Sequence, residues 1–110
     1  MQGSLISMFA LTGNPNKKQL EEAFYSLKHV GMDEVMLYAR SGCALEYMSK
    51  EWLDMIDIAI KIAKQNNMGV WIYDDFNWPS GFMGGKITEN PEFRLKSIET
   101  VGENAGEITL

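Results

Sequence analysis

Three short apolar runs alternate with two amphipathic segments, and that order leaves few folds open. The runs are Leu5 to Leu11, Glu34 to Ala39 and Val70 to Tyr73. Between the first two, Leu20, Ala23, Phe24 and Leu27 recur at the spacing of one helix face, with Lys17, Lys18, Glu21, Glu22 and Lys28 elsewhere on the cylinder. Asn14 or Asn16 is a candidate N-cap, Pro15 suits a first turn, and Gly31 is placed to stop the helix. A second helix is predicted from about Lys50 to Asn66, capped by Ser49. Its apolar stripe is Trp52, Met55, Ile56, Ala59, Ile62 and Ala63, and Gly69 opens the third strand.

Strands joined through helices lie parallel, and the crossover is right-handed in nearly all cases. Consecutive units of one hand predict strand order 1-2-3, with both helices on one face of the sheet. The other face is then bare, roughly 300 Å² in plan. Yet the strands are apolar on both sides: Ile6 and Met8 against Phe9, and Val35 and Leu37 against Met36 and Tyr38. Parallel strands read this way when both faces are covered. An open doubly wound sheet would need further helices, whereas a closed (β/α)₈ barrel of ~250 residues covers the inner face with its other strands. The predicted fold is therefore α/β, a partial (β/α)₈ barrel comprising its first two and a half units. Residues 1–85 form the core and its last loop. After Gly85 the pattern changes: Lys86 to Thr88 and Phe93 to Val101 suggest a C-terminal β extension, while Asn90-Pro91-Glu92 offers a short helix start instead, so 86–110 reads as irregular or β.

At 110 residues the chain is one domain at most, and its 45% apolar content argues against disorder. A net charge of −5 disfavours nucleic acid and anionic membranes as partners. No apolar run approaches the ~18 residues of a membrane span. The first eleven residues lack the positive start of a signal peptide and read as a strand; the expectation is a cytoplasmic protein, unless an export signal was removed beforehand. The eight methionines are scattered and read as core filler.

Chemistry concentrates between residues 69 and 85. The strand Val70 to Tyr73 runs into Asp74 and Asp75, followed by Asn77, Trp78, Pro79 and the glycines 81, 84 and 85. Carboxylates accept hydrogen bonds from sugar hydroxyls and aromatic faces stack on sugar C–H faces, so carbohydrate is the expected ligand. Adjacent strand residues point to opposite sides, so Asp74 and Asp75 make a poor pair for glycosidic cleavage, which needs carboxyl groups ~5–9.5 Å apart across one bond. At least one of them binds ligand, or else one caps the loop through backbone N–H groups and the other is solvated. Trp78, stiffened by Pro79, is either a stacking platform or a ring packed over the end of the barrel. Asn77 either binds a hydroxyl or makes an Asx-turn. Arg40 stands at the C-terminal edge of the second strand, where parallel α/β folds carry their ligands. It either pairs with Asp74 or Asp75 or holds substrate. Cys43 and His29 fall at opposite sheet edges, ~20 Å apart, which argues against a nucleophile–base dyad. No metal-ligand spacing or phosphate loop is present, no calcium-loop motif supports a site at Asp74, Asp75 or Asn77, and no cofactor is expected.

Several of these segments also occur, in the same order, in a known family. Lys17 to Glu22, Gly31 to Gly42, Leu45 to Trp52, Trp71 to Gly81, Gly84-Gly85 and Asn90 to Arg94 resemble barrel glycoside hydrolases of the α-L-rhamnosidase type and their uncharacterised relatives. The likeness spans roughly residues 5 to 96, and Trp78-Pro79-Ser80-Gly81 after Tyr73-Asp74-Asp75 is its most specific part. It implies a sugar subsite at the C-terminal face, with Arg40, Asp74, Asp75, Asn77 and Trp78 positioning substrate. Many relatives carry Asp-Glu where this chain has Asp74-Asp75, and the family's catalytic acids lie on later strands. The expectation is a glycoside hydrolase-like fragment, inactive alone and partnered by the remainder of a larger barrel. The alternative is a small non-catalytic binding domain, or one that self-associates into a homo-oligomer through its bare sheet face.

Overall fold

The computed structural model describes residues 3–97. Strand β1 (Ile6–Gly13), helix α1 (Lys17–His29), strand β2 (Glu34–Cys43), helix α2 (Lys50–Gln65) and strand β3 (Gly69–Phe76) follow one another, then three 3-10 turns at Met83–Gly85, Ile87–Glu89 and Pro91–Phe93. The sheet is parallel throughout, in the order β1-β2-β3.

Local chemistry sets the helix limits. The Asn16 side chain accepts from the Gln19 N–H at 3.0 Å, leaving Pro15 just before the cap rather than inside the first turn. Gly31, at φ +93°, reverses the chain after the Val30 cap, a conformation glycine adopts without steric cost. Ser49 Oγ accepts from the Trp52 N–H, and Glu51 in the first turn and Lys64 in the last complement the helix dipole.

The pairings Phe9↔Leu37 and Leu11↔Ala39, with Val35↔Val70 on the other side of β2, align one set of side chains toward the helices. Leu11, Val35, Leu37 and Ala39 are buried there with Leu20 and Phe24 of α1 and Trp52, Ile56, Ala59, Ile62 and Ala63 of α2. The Phe9 ring meets Phe24 edge-on at 5.3 Å. The opposite set, Ile6, Met8 and Trp71, is exposed. Ile72 points the same way as Leu37 but lies on the outer strand, and it is 52% exposed against 0% for Leu37.

Strands β2 and β3 run further than the sequence suggests. Arg40 to Cys43, expected as loop, continues β2, because Gly13 pairs with Cys43 and the Ala44 N–H reaches the Gly13 carbonyl at 2.6 Å. The expected β extension is not formed among the described residues: Ile87 lies in a 3-10 turn and Phe93 ends another. Asn90 accepts from the Glu92 N–H, and Pro91 supplies a fixed φ and no ladder donor, which favours the turn over a strand. The remainder of that predicted strand, from residue 98, lies outside the described residues. Among the described residues no helix is long and apolar enough to cross a membrane.

These packing differences predict unequal costs. Phe24→Ala lowers stability by about 3–5 kcal/mol, whereas Ile72→Ala costs under about 1 kcal/mol. Urea denaturation of the two variants beside the parent measures both.

Candidate functional site

Two irregularities in the sheet build the site. Between Leu11 and Gly13 of β1, strand β2 inserts extra residues, so that Arg40, Ser41 and Gly42 bulge between Ala39 and Cys43. Strand β3 does the same against β2: Ile72 pairs with Leu37 and Phe76 with Ala39, so that Tyr73, Asp74 and Asp75 bulge between them. Bulges re-aim side chains, and both fall at the C-terminal ends of neighbouring strands.

The β3 bulge separates the two carboxylates. Asp75 is fully buried, and its Oδ1 accepts from the Phe76 N–H at 2.6 Å and the Met83 N–H at 2.7 Å. Its Oδ2 is buried with no hydrogen-bond partner among the described residues. Asp74 is exposed, and its Oδ2 accepts from the Ser80 hydroxyl at 2.5 Å. Asp75 thus closes the loop from Asn77 to Phe82 at its base, and Asp74 fastens its middle. Gly84 lies against the Phe76 ring: an added Cβ would come 2.6 Å from Phe76 Cδ1, and its φ of +63° is itself left-handed.

Asn77 ties the loop to β2. Its Oδ1 accepts from the Ser41 N–H at 3.0 Å, its Nδ2 donates to Ser41 Oγ at 3.0 Å, and its own N–H reaches the Ala39 carbonyl at 3.3 Å. Its side chain is therefore engaged within the protein. Arg40 forms no ion pair with either aspartate among the described residues. Its Cζ instead lies 5.4 Å from the centroid of the Trp78 ring. Trp78 is 53% exposed, and its peptide bond to Pro79 is cis.

Two aromatic residues absent from the predicted set complete the cluster. Tyr38 stands 6.2 Å from Trp78 and 6.3 Å from Tyr73, centroid to centroid. These rings lie on the face opposite the helices. The alternation of β2 placed Tyr38 there, but nothing in the sequence announced that the β3 bulge would bring Tyr73 and Trp78 against it. Beneath the loop, on the helix side, Tyr47 packs edge-on against Trp52 at 5.0 Å and tilted against Phe76 at 5.9 Å. Trp52 Nε1 is buried there without a partner among the described residues. Burial first, then the negative charges of Asp75 and Asp74, raises the Tyr47 phenol above the ordinary tyrosine range. Nearby, a 2.8 Å hydrogen bond and the charge of Lys86 hold Glu46 below the ordinary glutamate range.

The arrangement offers an aromatic shelf, a cation resting on it, one exposed carboxylate and one buried carboxylate committed to backbone. It does not offer two carboxyl groups facing each other across a bond. Among the described residues no three His, Cys, Asp or Glu side chains converge as a metal centre requires. A cleft of about 250 Å³ between β1 and the start of α1 is lined by Phe9, Leu11, Pro15 and Leu20 and contains none of these groups. No protein-family model, curated protein or solved structure matches the chain.

The raised Tyr47 pKa has a defined sign. The folded chain holds the phenolic proton more tightly than the unfolded chain, so stability is complete below the unfolded tyrosine value near ~10 and is lost as pH rises through the higher folded value. Denaturation midpoints are expected to fall above about pH 10, and to fall less steeply in Tyr47→Phe. Equal alkaline slopes in the two proteins would contradict this.

Proposed function

We propose that this chain contributes a carbohydrate-binding subsite to a glycoside hydrolase-like barrel and has no turnover by itself. The observation that carries this reading is the shelf of Tyr38, Tyr73 and Trp78 with Arg40, at the C-terminal ends of adjacent parallel strands. Parallel α/β architectures assemble ligand sites at that edge. Of the three rings Trp78 is exposed, Tyr73 half-buried and Tyr38 buried; an exposed ring buries the C–H face of a sugar at little cost in side-chain freedom, and Asp74 and Arg40 supply an acceptor and donors for its hydroxyls. The resemblance of residues 5 to 96 to barrel glycoside hydrolases of the rhamnosidase type points the same way. Asp75 shapes the site by holding the loop, and Asn77 does so by tying the loop to Ser41. In this reading the general acid and its partner carboxylate come from outside these residues.

Oligosaccharide binding, followed by Trp fluorescence and calorimetry, is the direct test. Trp78→Ala should weaken affinity at least about tenfold, or about 1.4 kcal/mol. Aryl glycosides should remain intact. Hydrolysis that vanishes in Asp74→Asn would overturn the inactivity of the isolated chain, and the absence of any sugar binding would overturn the subsite.

A second reading, a self-associating α/β domain, is favoured by the exposed Ile6, Met8 and Trp71 on the helix-free face. A second copy presents the same surface, so one two-fold contact would cover both. Light scattering should then report a dimer that Met8→Lys converts to monomer; a monomer throughout the accessible concentration range would exclude it.

A further inference from the structure

Resting on the carbohydrate reading, we infer that the sugar taken by this site carries a carboxylate, and that Arg40 is the group that receives it. Most polar side chains around the shelf are already committed. Asp75 accepts from two backbone N–H groups and Asn77 is spent on Ser41. Asp74 accepts from Ser80 and would repel an anion rather than attract it. Arg40 differs. It is exposed, and its guanidinium makes no hydrogen bond or ion pair among the described residues, although two aspartates lie on the adjoining strand.

Its placement over Trp78 leaves its hydrogen-bonding capacity intact. A guanidinium above a ring is held through its charge, while its N–H donors remain in the guanidinium plane. A planar fork of donors beside a stacking surface matches a sugar ring whose exocyclic carbon is a carboxylate. The ring packs on the aromatic shelf, and the two carboxylate oxygens accept parallel N–H bonds. Charge-assisted bonds of this kind are roughly twice as strong as those to a neutral hydroxyl. The chain's net charge of −5 opposes anions elsewhere, so a carboxylate is steered to the guanidinium that stands on Trp78.

Matched oligosaccharide pairs test this: galacturonate and glucuronate trisaccharides, each against its methyl ester, which keeps ring and linkage but removes the charge. In one of the two pairs the acid should bind at least about tenfold tighter than the ester, a gap of about 1.4 kcal/mol that shrinks with added salt. Arg40→Gln should erase the gap, so that acid and ester bind that variant alike, and Arg40→Lys should restore it only in part. Ester bound as tightly as acid in both pairs, or a gap that survives in Arg40→Gln, overturns the inference and leaves the sugar subsite standing. Failure of acids, esters and neutral oligosaccharides alike overturns both. Arg40 is exposed, so a thermal melt unchanged in Arg40→Gln is expected and separates lost recognition from lost folding.

Discussion

Two crossovers of the same hand place both helices on one side of a parallel sheet, and most features of this molecule descend from that constraint. The helix side becomes the core, where Phe24, Leu37 and Ile62 interlock. The other side becomes a surface, although its residues are drawn from the same apolar alphabet. The strands also deliver their C-terminal ends to a single edge. What is presented there depends on how each strand terminates, because the strand bodies are locked in register from Ile6↔Glu34 onward.

At that edge the decisive group is a buried carboxylate. One oxygen of Asp75 gathers two N–H groups that would otherwise be left unpaired on either side of the loop. Met83, one of these donors, sits at φ +49°, a conformation that costs a non-glycine residue about 1–2 kcal/mol. A hydrogen bond to a charged acceptor contributes about 1.5–3 kcal/mol, enough to offset it. Among the described residues the second oxygen has no partner, and neither has the indole N–H of Trp52, which packs against the perturbed Tyr47. The underside of the loop is thus polar and tightly packed, while its upper side carries rings and a cation.

The alternation of apolar runs and helical stripes was enough to give element order, parallel pairing and strand sequence, because those follow from periodicity and connection length. Ser49 and Asn16 were legible as caps for the same local reason. The ends of the strands were not. Whether Arg40 to Cys43 remains strand depends on Gly13 pairing with Cys43, a contact between distant segments that no local window contains. The separation of Asp74 from Asp75 followed from strand alternation, but the bulge that buries one and frees the other depends on tertiary register. Arg40 was expected to meet an aspartate or a ligand, since opposite charges at one edge invite pairing. It pairs with neither aspartate among the described residues and lies on Trp78, an arrangement set by how the loop folds back. The turns after Gly85 were misread in part because Lys86 to Thr88 alternates like a strand, while Asn90 and Pro91 carried the correct signal.

The bonds between Asn77 and Ser41 join the loop after β3 to the bulge in β2. Because Ser41 follows Arg40 and Asn77 precedes Trp78, the same strut sets the spacing between the guanidinium and the indole. On the proposed reading, a ligand there would meet a geometry that folding has already ordered, so little further configurational entropy need be surrendered on association. The same reading makes the Asn77–Ser41 strut a source of selectivity, since a guest of the wrong shape would have to break those hydrogen bonds to be accommodated.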